Sequence, residues 1–173
     1  GSAFMMMEIG IIMKLKLLVG HPGYTLGIVL ASVVLFTGIG SLISDYTLKN
    51  KLLSLKGLCI ASAACILISL FFAAYANTEL VGLSRFSKLL IAFLIPAIPC
   101  IFMGHLFPQG LSRIAKENEN LIPWAIAING ATGTIASGLS LFILEITGTN
   151  SLIIASAFLY LLLGLLNSKT LFR

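Results

Sequence analysis

Charge-free runs decide what this chain can fold into. Leu17–Ser44, Gly57–Thr78, Leu89–Ser112, Leu121–Leu144 and Ile146–Ser168 contain no Asp, Glu, Lys or Arg. Each run exceeds the ~20 apolar residues that an α-helix needs to cross a hydrocarbon layer of ~30 Å. A soluble chain of 173 residues has room for one modest core and cannot hide five such runs from water. Only 10% of the residues are charged and 58% are hydrophobic, against roughly 25% and 45–50% in soluble domains. Disorder requires the opposite composition. The expected solvent is lipid, where every backbone polar group must pair within its own element. The runs are apolar on every face and lack the alternation of barrel strands, so they read as helices. The predicted fold is all-α, a polytopic transmembrane bundle.

Five spans are expected near Tyr24–Ile43, Gly57–Ala76, Ser87–Met103, Ile122–Glu145 and Ser151–Leu166. A sixth, Gly1–Leu18, is apolar except for Glu8, Lys14 and Lys16. Its basic residues follow the apolar stretch, which is the wrong order for a secretory signal. The chain begins inside an apolar run without a cap, so residues 1–173 read as one membrane domain of a larger parent. With six spans, Lys49, Lys51, Lys56, Arg113, Lys116, Lys169 and Arg173 share one side, and Lys14, Lys16, Arg85 and Lys88 the other. That bias of seven to four predicts the first side, with both termini, to be cytoplasmic. The net charge of +5 is spread between the spans. It forms no dense basic patch, so nucleic acid is excluded as a partner. The expected partner is the bilayer.

Lipid gives helices little reason to associate, so close contacts fall to small residues. Gly130, Thr134 and Gly138 recur at helical spacing beside Gly133 and Ser137, and Gly38 and Gly40 stand among Gly27, Ala31, Thr37 and Ser41. Both helices are expected at the centre of the bundle. Neither glycine pair follows a strand, which argues against a nucleotide loop. Pro96 and Pro99 predict a bend in the fourth span, and Pro22-Gly23 opens the second. Thr147-Gly148-Thr149-Asn150 reads as a tight connection. Residues 104–120 read as a loop whose Arg113, Lys116, Glu117 and Glu119 form a solvated helix.

Glu8 is the most informative single residue. A carboxylate at mid-helix costs about 2.5–3.5 kcal/mol on insertion. Its helical neighbours Phe4, Met5, Ile11 and Ile12 offer no partner. It is expected to face the interior, as a proton or cation site or as a clamp between helices. Asn129, beside the glycines, is expected to bond a neighbouring helix. His21 and His105 fall on opposite faces of a six-span bundle, too far apart for one metal, and each reads as an interfacial polar residue. Cys59, Cys65 and Cys100 lie in apolar runs without metal-ligand spacing and read as small buried hydrophobes. No catalytic constellation, metal site or cofactor site is expected from these residues.

Several patterns combine. Phe4-Met-Met-Met-Glu8 precedes Gly20-His21-Pro22, Tyr24-Thr-Leu and Thr37-Gly-Ile-Gly-Ser41. Then come Gly104-His-Leu-Phe107-Pro108-Gln-Gly110, Pro123-Trp124-Ala125 and Asn129-Gly130. In order and spacing these resemble the C-terminal membrane region of bacterial membrane-bound spermidine synthase-like proteins. The resemblance implies an inner-membrane domain that anchors or serves a cytoplasmic aminopropyltransferase-like domain. That soluble domain's nucleotide loop and catalytic aspartate are absent from these residues, so no catalytic role is carried over. At His105 the family more often has an apolar residue, so no role is carried onto it. The resemblance marks Glu8, Gly20, His21, Pro22, Phe107, Pro108, Pro123, Trp124, Asn129 and Gly130 as special positions. It also suggests Glu8 as a counter-charge for a polyamine. Two other readings stay open: one half of a small-molecule or cation transporter, and a structural subunit packed against other membrane helices.

Overall fold

The described residues satisfy their backbone almost entirely within helices, the solution that a lipid environment demands. A computed structural model describes residues 1–49 and 54–166. Seven α-helices follow in order: α1 Ser2–Val19, α2 Pro22–Lys49, α3 Leu55–Glu79, α4 Arg85–Leu94, α5 Ala97–Glu117, α6 Ile122–Thr147 and α7 Thr149–Leu166. α4 and α5 are two parts of one rod, so six rods form the bundle. Five are long and apolar enough to cross a membrane, and the sixth, α1, carries the three charges noted above.

The helix ends are cut by local chemistry. Gly20 ends α1 in the left-handed region, with φ 75°, which costs a residue with a Cβ strain that glycine avoids. Gly148 is the whole connection between α6 and α7, at φ 83° and ψ 175°, a region open essentially to glycine alone. Ser54 Oγ accepts from Gly57 N at 3.0 Å to start α3, and Ser84 Oγ accepts from Ser87 N to start α4. Pro22 is the first residue of α2.

The end of the fourth span differs from expectation, whereas the expected bend is present at one of the two prolines. The fourth span does not stop at Met103, because helix continues to Glu117. Arg113, Lys116 and Glu117 therefore close a long helix, and only Glu119 falls in the short 3-10 turn Glu119–Leu121. The bend lies at Ile95–Pro96, between α4 and α5. Pro99 falls in the first turn of α5, where a missing N–H costs nothing, and Pro108 is the proline inside the helix.

The larger correction concerns what occupies the centre. α1, not α2 or α6, is the axis of the bundle. It touches α2, α3, α4, α6 and α7, and its Met7, Ile11, Leu15 and Leu18 are essentially fully buried. α2 and α6 lie at the periphery and scarcely touch each other. A Cβ on Gly130 or Gly138 would meet nothing within 4 Å, so those two glycines pack against no helix among the described residues. Hydropathy did not separate these cases, because helices that are apolar on every face carry no label for lipid or protein.

Where small residues are used, they are used fully. α2 crosses α5 so closely that a Cβ on Gly40 would overlap the carbonyl oxygen of Ile101, and one on Gly104 that of Thr37. Ser32 Oγ donates to Phe93 O on α4 at 2.5 Å beside this crossing. α1 is held by Ser156 Oγ donating to Ala3 O at 2.6 Å, Asn77 Nδ2 to Lys14 O at 2.9 Å and Lys14 Nζ to Asn150 Oδ1 at 2.7 Å. Such interhelical bonds average about 0.6 kcal/mol in membrane proteins, so close packing around α1 carries most of the cohesion.

Candidate functional site: a cleft beside the central helix

The gap between α2 and α6 opens onto α1. Where the first turns of α1 form its floor, the gap widens into an open cleft of about 770 Å³, within the range of small-molecule sites. Phe4 and Met5 come from α1, Thr37, Gly38 and Ser41 from α2, Gly104, Phe107 and Pro108 from α5, and Asn129, Gly130 and Gly133 from α6. Tyr160 and Leu163 of α7 complete it. A second, shallower depression of about 340 Å³ lies over Ile9, Ile12 and Met13 and shares Ser137 with the first. The two depressions thus lie over successive parts of α1, with Ser137 of α6 common to both.

The glycines make the space. Nothing lies within 4 Å of a Cβ placed on Gly38 or Gly130, so larger residues there would enter the cleft. The lining carries no charged side chain. Most of its hydroxyls are already committed to their own helices. Thr37 Oγ1 donates to Val33 O at 2.6 Å, Thr134 Oγ1 to Gly130 O at 3.1 Å and Ser137 Oγ to Gly133 O at 3.0 Å. Asn129 uses its Oδ1 to accept from Gly1 N at 2.7 Å.

The residues singled out by sequence divide into groups. Gly38, Phe107, Pro108, Asn129, Gly130 and Gly133 converge on the cleft from three helices. Gly40 serves the α2–α5 crossing, and Gly138 lies on the shallower depression. Gly20, His21 and Pro22 gather at the α1–α2 connection, away from the cleft. There His21 stacks on Tyr24, ring centroids 4.7 Å apart, and Arg85 lies over the Tyr24 ring at 5.9 Å. Pro123 and Trp124 begin α6, both exposed.

His105 is not interfacial. It is buried, with Nδ1 2.7 Å from Ile101 O in its own helix. His105 follows Gly104, which meets Thr37, and Thr37 is sixteen residues along from His21. At 1.5 Å per residue that separates the histidines by about 24 Å. Among the described residues, no group of three or more His, Cys, Asp or Glu side chains could hold a metal ion.

Glu8 is buried, one turn beyond Phe4 on α1, and does not line the cleft. Among the described residues it makes no hydrogen bond and no ion pair. Two polar residues escaped the sequence reading. Tyr160 is 8% exposed and lines the cleft. Gln109 is 2% exposed, and its Nε2 has no hydrogen-bond partner. The available signal was their isolation: one phenol among leucines in Leu159–Leu163 and one carboxamide at Pro108–Gly110. A buried polar group in an apolar span is as telling as a charge.

No family model, curated protein or solved structure matches this chain.

Proposed function

We propose that this chain is the multi-pass membrane domain of a spermidine synthase-like protein, anchoring or serving a cytoplasmic aminopropyltransferase-like domain outside these residues. One observation carries the reading. Phe4, Thr37, Gly38, Ser41, Gly104, Phe107, Pro108, Asn129 and Gly130, from motifs scattered over some 125 residues of sequence, line a single cleft. Motifs that merely tolerated apolar drift would have no reason to converge. In this reading the domain sits in a bacterial inner membrane with both termini cytoplasmic. The α5–α6 turn, with Lys116, Glu117 and Glu119, then faces the soluble domain.

The test places a photoreactive residue at Lys116 and, separately, at Leu83 in the α3–α4 turn, in cells expressing the parent aminopropyltransferase-like protein. Capture of the soluble domain from position 116 and not from 83 supports the reading. Capture from 83 alone, or from neither, rejects it.

A second reading, half of a small-molecule or cation carrier, is favoured by Glu8. A buried carboxylate without a partner is a functional hypothesis in a membrane. Glu8→Gln preserves shape and removes the charge. In vesicles it should abolish cation- or proton-coupled uptake while leaving the fold intact. Unaltered polyamine binding in Glu8→Gln would remove the carboxylate as its counter-charge.

A further inference from the structure

The break between α4 and α5 leaves peptide oxygens short of donors inside the bundle. A helix cannot pair its own last carbonyls, and lipid supplies no water to pair them. Here Ile95 N serves Ile91 O at 3.0 Å, and Ser32 Oγ of α2 serves Phe93 O at 2.5 Å. Pro96 and Pro99 carry no N–H, so they cannot serve the carbonyls of Ala92 and Ile95, four residues before them. A helical carbonyl points at the residue four along. Both prolines are buried, so these two oxygens face protein and not lipid.

Glu8 lies at the same depth. Arg85, which starts α4, sits over Tyr24 near the start of α2, and α1 ends beside them at Val19. From that end, at 1.5 Å per residue, Ile95 and Ser32 lie about 15 Å deep and Glu8 about 17 Å. That is the midplane of a hydrocarbon layer of ~30 Å. Glu8 also points the right way. Each residue turns a helix by about 100°. Gly10 packs on Ile153 of α7, and Lys14, on the same face, gives its carbonyl to Asn77 of α3. Glu8 is about 160° round from Gly10. Met5, about 60° from Glu8, meets Gly133 of α6. Of the helices that touch α1, α2 and α4 are left to face the carboxylate. Cys100, in the first turn beyond the break, is close enough to feel its charge. Glu8 is 8% exposed and without a partner among the described residues.

A carboxylate and donorless carbonyls repel one another unless something positive lies between them. We infer that Glu8 and the carbonyls of Ala92 and Ile95 bind one desolvated alkali cation at the break, with Ser32 Oγ as a further oxygen. Oxygen-only ligands select a hard cation. One carboxylate balances a monovalent ion, whereas a divalent ion would leave net charge in hydrocarbon. Carbonyls freed at a broken membrane helix are suited to holding sodium. The inference deepens the carrier reading by naming the ion and its ligands, and it is tested by binding at equilibrium, without uptake. A chain that binds sodium and moves nothing fails only the carrier reading.

The experiment equilibrates the full chain, in lipid nanodiscs, with radioactive sodium in a choline background. Saturable binding of one ion per chain is expected, displaced by unlabelled sodium or lithium and not by N-methylglucamine. Glu8→Gln should abolish it. Pro96→Ala combined with Pro99→Ala returns an N–H to each carbonyl and should weaken binding at least about tenfold, the worth of a hydrogen bond to a charged group. Circular dichroism checks that both variants remain helical. Sodium should raise the unfolding midpoint of the unaltered chain, and choline should not; this shift and the proline variant decide the matter even where Glu8→Gln fails to fold. No saturable sodium binding, or binding unchanged in either variant, would overturn the inference. So would an infrared carboxylic-acid band, absent from Glu8→Gln, that sodium leaves untouched, because the carboxyl then holds only a proton.

Discussion

The α2–α5 crossing yields a sharp contrast between two glycines on one helix. At Gly40 a new methyl group would overlap the Ile101 carbonyl oxygen, which is backbone and cannot rotate away. The helices would have to part by about 1 Å to restore ordinary contact. A gap of that order forfeits a quarter to a half of the dispersion energy of the atoms it separates. Overpacking of this kind costs about 1–3 kcal/mol. Two residues away, a methyl on Gly38 meets nothing within 4 Å. There alanine should gain about 0.5–1 kcal/mol, because glycine loses more backbone entropy on forming helix. Gly40→Ala gains the same backbone entropy, which cancels in the comparison, so Gly40→Ala and Gly38→Ala should differ by roughly 1–3 kcal/mol. The assay is steric trapping or dodecyl sulfate titration in mixed micelles, followed by circular dichroism. Gly104→Ala strikes the same crossing from the other side, against Thr37 O. Once either substitution has parted the helices, the second has less to break. The double variant should thus cost less than the sum of the singles. Equal stability of Gly40→Ala and Gly38→Ala, or strict additivity of Gly40→Ala with Gly104→Ala, would refute the close crossing.

Three further outcomes are expected. Gly148→Ala should destabilise by about 1–3 kcal/mol, because its backbone angles exclude a Cβ; the same unfolding titration reads this, and an unchanged midpoint would contradict the one-residue turn. Ser156→Ala should cost about 0.6 kcal/mol, the average for an interhelical bond, because it loses the bond to Ala3. Ser137→Ala should be near neutral because its hydroxyl serves its own helix; the reverse order in unfolding midpoints would count against the assignment. Single cysteines at Asp45 and Leu83, in a chain whose native cysteines are replaced, should label from opposite sides of a sealed vesicle; same-side labelling would break the six-rod arrangement.

The spans were legible because the bilayer is a severe filter: a charge-free run beyond twenty residues has one fate. Helix ends were legible where chemistry is local, as at Pro22 and Gly148. The extension of α5 was not, because Arg113, Lys116 and Glu117 look like loop residues when a helix simply outruns the apolar layer. Which helix lies central was also hidden. The glycines of α2 and α6 argued for the middle, yet both helices lie at the periphery and α1 is the axis. Glycine spacing shows that a close approach is possible without showing that a partner is present, as Gly40 and Gly130 illustrate. Of the cleft, Asn129 and its neighbouring glycines could be found by eye. Tyr160 could not be assigned to it, since α7 meets α1 only after the whole chain has folded back.

That return has a consequence for how the protein is made. α1 is translated ahead of every group that ties it down: Asn77 follows in α3, and Asn150 and Ser156 only in α7. With Glu8, Lys14 and Lys16 it is a poor solitary lodger in hydrocarbon. It must wait at the insertion machinery, or at the headgroup boundary, until the α6–α7 hairpin arrives to enclose it. Biogenesis therefore hinges on α7: a nascent chain stalled before it should leave α1 unhoused and open to quality-control proteolysis.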